Sequence, residues 1–218
     1  MVLSKPQSHY VQNVLRLGVG DVVRLFDGLS GEYVAKIEKI GKETVIRVQQ
    51  LLRPQGEWCG PWLFFSPLKK NAMDFLIEKS VEIGVSVLCP VLTNRTIVRT
   101  VNLEKIKAHS IEAAEQSERL DVPTIHAPVA LKDIFKVLPV DMPLYFCQER
   151  ATASHISTVS SSGALLIGPE GGFTIEENTM LLKNPKTYPV SLGLNILRAE
   201  TAALYALSHL CNTSAPFK

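Results

Sequence analysis

The chain has 218 residues, 46% of them apolar and 20% charged, with a formal net charge of +2. A chain of this size buries about 70% of its unfolded surface, and its composition excludes both a disordered segment and a disulfide-stapled miniprotein. Its near-neutral balance announces no nucleic-acid partner in bulk, but the basic excess is local: residues 1–60 carry 8 Lys/Arg against 6 Asp/Glu, and residues 61–218 carry 15 against 15.

Met1-Val2-Leu3-Ser4-Lys5-Pro6 has no basic stretch followed by an apolar one, so no secretory signal is expected. No apolar run approaches the roughly 20 residues that span a bilayer. A cytoplasmic location follows as an expectation. From Asp21 to Leu52 short β runs alternate with turns: Asp21–Phe26, then the hairpin-like Asp27-Gly28-Leu29-Ser30-Gly31, then Glu32–Ile40, Gly41-Lys42-Glu43 and Thr44–Leu52. Strands this short predict a small barrel or sandwich. Arg53-Pro54-Gln55-Gly56-Glu57 has a linker's composition and predicts a domain over residues 1–60 and a second over 61–218.

Beyond it the period changes. Trp62–Ser66 reads as a strand, Leu68–Ile83 as a helix closed by Gly84, and Val85–Leu92 as a strand buried on both faces. Asn102 is placed to cap a helix through about Arg119, with Leu103, Ile106, Ser110, Ala113 and Ser117 on one face. Leu144–Gln148 and Ala164–Gly168 are short buried strands. Thr174-x-x-Glu177 is a capping box opening a helix through about Leu182, Tyr188–Leu192 is a strand, and Arg198–Cys211 is a final helix. The Ser-rich connection Ser157–Ser162 reads as a loop. Strands alternating with helices predict an α/β domain with a mainly parallel sheet.

Cys59, Cys89, Cys147 and Cys211 form no C-x-x-C pair, and the five histidines fit no ligand spacing, so reduced thiols and no metal are expected. Chemistry is better sought where glycine follows a buried strand. There the backbone approaches a ligand closely and presents its amides to it. Two stretches do this: Ile167-Gly168-Pro169-Glu170-Gly171-Gly172-Phe173, and Leu192-Gly193-Leu194-Asn195-Ile196-Leu197-Arg198-Ala199-Glu200-Thr201. Neither carries the lysine of a phosphate-binding P-loop, the triple glycine of a dinucleotide fingerprint, or the serine elbow of an acyl-transfer enzyme. Tight turns without ligand remain the plain alternative at either stretch taken alone.

These two segments, with Leu192-Gly193 and Ile196-Leu197-Arg198-x-Glu200-Thr201-Ala202 in their places, resemble the signature of the RsmE family. Further segments match in order: Val14-Leu15-Arg16 with Gly20-Asp21, Lys79-x-x-Glu82-Ile83-Gly84-Val85, Asn94-Arg95-Thr96, and Glu112-Ala113-Ala114-Glu115-Gln116-Ser117-x-Arg119. The chain departs from the family pattern at Asn195 and Ala199, where Arg and Thr are more frequent. It also lacks an Arg-Trp pair early in the Asn102 helix, and its opening strand is short.

The resemblance implies a PUA-like N-terminal β-barrel and an α/β, trefoil-knotted SPOUT methyltransferase domain that acts as a homodimer. It implies S-adenosyl-L-methionine (S-adenosylmethionine) as cofactor, held by Ile167, Gly168, Pro169, Glu170, Gly171, Gly172, Leu192, Gly193, Ile196, Leu197 and Arg198, with the segment Cys147–Glu149 nearby. The reaction implied is methylation of uridine N-3 in 16S ribosomal RNA, free or in the small ribosomal subunit. Methyl transfer from a sulfonium needs no metal or covalent nucleophile, only positioning and removal of the imide proton. Arg198 is the candidate to stabilise the imide anion, and Glu200 either orients Arg198 or takes the proton. An ion pair at a helix start is the plain reading of the same two residues. Arg16, Arg95, Arg99, Gln116 and Arg119 are the candidate RNA contacts. A SPOUT ribose 2′-O-methyltransferase and a non-catalytic RNA-binding assembly factor are the competing functions.

Overall fold

A computed structural model of the chain describes residues 1–148, 153–159 and 162–212. Ser4 caps a first helix, α1 (Lys5–His9), that no periodicity in the sequence signalled. The Ser4 hydroxyl accepts from the Gln7 amide while the Gln7 side chain accepts from the Ser4 amide at 3.0 Å. A π-helical turn, Tyr10–Val14, follows. It closes with the Leu17 amide donating to the Val11 carbonyl at 3.0 Å, which leaves Arg16 in the left-handed region at φ 55.

Strands β1 (Val22–Phe26), β2 (Glu32–Lys39) and β3 (Val45–Arg53) form an antiparallel sheet in that order. Met1–Leu3 lies against the start of β3, with the Leu3 amide donating to Thr44 and the Ile46 amide to Met1, both at 2.9 Å. In the β1–β2 turn the Asp27 carboxylate accepts from the Ser30 hydroxyl and from the Ser30 and Leu29 amides, and these bonds hold its carboxyl down at about 2. Gly31, at φ +111, lies so close to the Arg53 carbonyl that a side chain there would collide with main chain. Leu3, Val11, Val23, Ala35, Ile37 and Ile46 form the small core of this unit, which spans Met1–Glu57.

The second unit, Trp58–Lys218, contains β4 (Trp62–Phe65), α2 (Lys70–Ile83), β5 (Val87–Leu92), α3 (Leu103–Gln116), β6 (Thr124–Ile125), β7 (Val129–Ala130), α4 (Ile134–Val137), β8 (Leu144–Cys147), β9 (Ser154–His155), β10 (Ala164–Ile167), α5 (Ile175–Lys183), β11 (Thr187–Ser191) and α6 (Ala199–Asn212). Its sheet runs β6-β5-β4-β10-β8-β11-β9, with β7 paired to β5, and every described pairing in it is parallel. The strands are apolar throughout because both faces are covered. Phe64, Val91, Phe146 and Leu166 pack with Ile134 and Leu181, while Leu63, Phe65, Leu76, Ile77, Ala203 and Leu207 are also fully or almost fully buried. None of the described helices is long and apolar enough to cross a membrane.

Most elements begin and end within a residue or two of the sequence expectation. The helix capped by Asn102 is the exception, ending at Gln116 rather than Arg119. Glu118 turns to φ 54 and the Arg119 amide closes on the Ala114 carbonyl at 2.9 Å, so the chain leaves the helical path there. Gly84 ends α2 at φ 116, and its carbonyl accepts from the Trp58 indole at 2.7 Å. A methyl group at Gly84 would sit 2.7 Å from the Trp58 ring. Gly84→Ala is therefore expected to destabilise the second unit by at least about 1–2 kcal/mol, the cost of a left-handed backbone alone. The chain's two tryptophans, Trp58 and Trp62, both belong to that unit, so denaturant unfolding followed by tryptophan fluorescence reports it directly.

Candidate active site

The site is set by three neighbouring strands. β8 lies between β10 and β11, and Leu144 pairs with Ala164 on one side and with Thr187 on the other. Their C-terminal ends are therefore level, and the chain leaves all three at one edge of the sheet. In an open parallel sheet this is where ligands bind. From β8 the chain passes through Cys147 and Gln148, whose amide donates to the Val190 carbonyl at 3.1 Å. Glu149, the last residue of that segment, lies outside the described residues.

After β10, Gly168 lies beneath the Phe173 ring, where a side chain would press on the ring from 3.0 Å. Pro169 is buried, Glu170 is exposed, and the Gly172 amide closes the turn on the Pro169 carbonyl at 2.8 Å with Gly172 at φ +66. The Thr174–Glu177 capping box starts α5 as its spacing predicts. The structure adds a link that the spacing does not reveal. The buried Glu177 carboxylate accepts from the Thr174 amide at 2.9 Å and from the Asn94 amide at 2.7 Å. Arg95 then donates to the Gly171 carbonyl at 2.6 Å while remaining exposed. Beneath it the Thr96 hydroxyl meets the Thr93 amide at 2.8 Å and the Ser66 hydroxyl at 3.3 Å, tying the ends of β4 and β5 together. The first glycine loop is thus fixed from two sides.

After β11, Gly193 adopts φ +110 and its amide donates to the Ser191 hydroxyl at 3.2 Å. Leu194 is fully exposed and Ile196 largely so, and no described residue hydrogen-bonds the main chain of Leu194–Ile196. Free backbone groups, apolar side chains and a left-handed glycine at a strand end make a cradle that fits a cofactor with a heteroaromatic ring and an amino-acid tail. His155 from β9 stands nearby, its Nε2 about 4.0 Å from where a Gly193 side chain would begin, and it faces the Tyr205 hydroxyl at 3.5 Å. Sequence reasoning missed His155 because a strand of two residues carries no periodic signal.

Arg198 is exposed, and its carbonyl accepts from the Ala202 amide at 2.8 Å as α6 begins. Glu200 is half-buried. Among the described residues the two form no ion pair with each other, so the plain reading of a helix-start ion pair is not what the side chains do. Both instead line an open cleft of about 810 Å³ with Thr201, Lys69, Lys70, Asn71, Ala72 and Phe75. At the end of β8, burial pushes the Cys147 thiol up to about 12, which disfavours the reactive thiolate. Burial does the same to Cys89, also to about 12, and raises Cys211 to about 11. Among the described residues no cluster of His, Cys, Asp or Glu is arranged to hold a metal ion.

The five residues expected to meet RNA do not share one environment. Arg16 and Gln116 are exposed, and Arg99 is exposed with its guanidinium 3.5 Å from the Thr93 and Asn94 carbonyls. Arg119 stands apart from the other four. Its side chain is 11% exposed, donates to the Val81 and Val85 carbonyls, pairs with Asp121 and lies over the Trp58 ring at 5.8 Å. The end of α3 turns it inward, so its donors are satisfied inside the protein rather than offered to a phosphate. Arg119→Ala is expected to destabilise the second unit by about 3 kcal/mol, since it strands the half-buried Asp121 and two carbonyls. RNA affinity of the folded variant should match wild type. Thermal unfolding and filter binding measured side by side check both halves.

A family model described as the RNA methyltransferase domain matches residues 61–211, and one described as the RNA methyltransferase PUA domain matches residues 3–48. The ribosomal RNA small subunit methyltransferase E of Rickettsia conorii is 36% identical over 208 residues, covering 93% of this chain and 85% of the relative. That of a Synechocystis species is 32% identical over 221 residues, covering 96% and 72%. Among solved structures, the Neisseria gonorrhoeae ribosomal RNA small subunit methyltransferase E bound to S-adenosyl methionine has a TM-score of 0.85 at 29% identity, over 95% of this chain and 89% of that one. An N-terminal PUA domain followed in sequence by an α/β unit with a parallel sheet is what the sequence resemblance implied. The chain belongs to the RNA methyltransferase family of the ribosomal RNA small subunit methyltransferases E.

Proposed function

We propose that this chain transfers the methyl group of S-adenosylmethionine to N-3 of a uridine in 16S ribosomal RNA, free or within the small subunit. One observation carries the reading: the ends of β8, β10 and β11 share one edge of a parallel sheet, and the chain there runs through two glycine-bearing loops to Arg198. Support for the substrate comes from the relatives, which are named for modifying ribosomal RNA of the small subunit.

In this reading Ile167–Gly172, Leu192–Gly193 and Ile196–Arg198 hold the cofactor, largely through main chain. The bound sulfonium supplies an electrophilic methyl group with its leaving group already attached. The protein's task is then to bring the uracil imide into line and to remove its proton. Arg198, exposed in the lining of the cleft and without an ion-pair partner among the described residues, stabilises the imide anion as it forms. Glu200 lines the same cleft and is not committed to Arg198, which favours it as the proton acceptor over an orienting role. Arg16, Arg95, Arg99 and Gln116 meet the RNA. A cytoplasmic homodimer and a trefoil-knotted catalytic domain belong to the same reading, and sedimentation tests the dimer.

The cofactor site distinguishes two glycines. Gly193→Ala forces a side chain onto a backbone at φ +110, whereas Gly171→Ala meets only the flexible Arg95 side chain, at 3.4 Å. Calorimetric titration with S-adenosylmethionine should show a clear loss of affinity for Gly193→Ala and little change for Gly171→Ala. Equal losses would place the cofactor differently.

For chemistry, Arg198→Ala should lower the single-turnover rate roughly a hundredfold, the usual effect of removing one group that stabilises a developing anion. Rising pH should partly rescue it, because the imide ionises unaided in base, and Arg198→Lys should recover only part of the rate. A variant that loses only binding while the chemical step stays fast overturns the role. Methyl found on a ribose oxygen overturns the N-3 assignment.

A further inference from the structure

The cleft beside Arg198 holds more than the transfer of a methyl group requires. Part of its lining is the start of α2, where Lys69 occupies the capping position with no side-chain cap, so among the described residues the first-turn amides of this 14-residue helix lack a side-chain partner. Lys69 and Lys70 are both exposed, and neither has an ion-pair partner among the described residues. One turn further on, Phe75 is 44% exposed and lines the same cleft, a large apolar ring left in solvent among cations. Among the described residues Glu200 is the only acidic side chain in the lining, against Lys69, Lys70 and Arg198.

A groove that combines unpaired cations with an exposed aromatic face suits single-stranded nucleic acid. The cations track the phosphates, and the ring stacks a base whatever its identity. An acidic protein segment would use the cations but leave the ring without a purpose. We infer that Lys69, Lys70 and Phe75 form a binding site for single-stranded RNA beside the reacting nucleotide, with the two lysines on phosphates and Phe75 stacked on a neighbouring base. The inference rests on the proposed RNA methyltransferase activity for its setting, but the site is defined by charge and shape and can be tested apart from catalysis. Holding the strand single here would keep the target uridine unpaired, which access to N-3 demands, because that atom lies in the base-pairing edge. Arg198, in the lining of the same cleft, would then meet the target while the lysines hold the strand beside it.

The test uses the full-length protein and a labelled single-stranded RNA from the small-subunit sequence, with binding followed by anisotropy over a range of salt. Phe75→Ala should weaken binding about tenfold, with little change in salt dependence, as expected for one lost stacking contact. Lys69→Ala with Lys70→Ala should weaken binding and reduce the slope of log affinity against log salt by about 1.4, two single-strand phosphate contacts' worth. Phe75→Tyr should bind as wild type does, since it keeps the stacking face. Titration with S-adenosylmethionine should be unchanged in all of them, which confirms folded second units. Wild-type slope and affinity in the lysine and alanine variants overturn the site, even if the protein methylates ribosomal RNA. Loss of RNA binding in the variants of a wild type that binds RNA but transfers no methyl group would instead overturn the proposed activity and leave the site standing. A Phe75→Ala protein that changes its sedimentation coefficient while binding RNA normally would assign the ring to contact between copies of the chain and also overturn the site.

Discussion

The parallel pairing of β8 with both β10 and β11 is the constraint on which everything functional in this chain depends. Parallel strands put like ends together, so Cys147, Ile167 and Ser191 all finish at one edge, although they come from segments far apart in sequence. Such a sheet must be covered on both faces, which is why Leu-Tyr-Phe-Cys and Ala-Leu-Leu-Ile are almost wholly apolar. Only the ends of the strands are left for polar chemistry. Glycine at those ends leaves main-chain groups open where any side chain would cover them or strain the backbone, as Gly193 shows at φ +110. The buried Glu177 carboxylate extends the order outward, because its bond to the Asn94 amide joins the loop after β10 to the loop after β5. A cradle built from main chain would be worthless if its loops drifted, and these bonds supply the rigidity.

What the sequence disclosed follows from the range of the interactions concerned. Asn102, Gly84 and the Thr174–Glu177 pair are legible because a cap acts over three or four residues and leaves its spacing in the chain. The buried strands are legible because burial on two faces demands a continuous apolar run. The ordered set of segments resembling a known family carried the location of the site further than periodicity could. Contacts across large sequence separations were not legible. Nothing in the chain indicates that Glu177 reaches Asn94, 83 residues away, or that Ser66 meets Thr96. His155 sits in a strand of two residues, too short to show alternation. The inward course of Arg119 was not legible for the same reason. Its motif was visible, but the left-handed turn at Glu118 that swings it onto Val81 and Val85 was not.

The cations also divide in a way that composition conceals. A net charge of +2 gives no hint of a polyanionic partner. Yet Lys105 is matched to Asp74, Lys79 to Glu78 and Glu82, and Arg119 to Asp121, so these charges are largely neutralised where they stand. Lys69, Lys70 and Arg198 have no such partners among the described residues and line one cleft. A local field of one sign concentrates a charged ligand even when the whole molecule is nearly neutral. Arg95 shows an intermediate case, bound to the Gly171 carbonyl yet exposed.

The central claim is that this architecture delivers a methyl group to the imide nitrogen of a uracil in small-subunit ribosomal RNA. Nucleoside mass spectrometry of 16S ribosomal RNA, from cells with the gene, cells without it and deleted cells carrying it again, tests that claim most directly. The account predicts that 3-methyluridine disappears on deletion and returns with the wild-type gene, while ribose-methylated nucleosides stay constant. An unchanged level of 3-methyluridine, or the loss of a ribose-methylated nucleoside in its place, would contradict it.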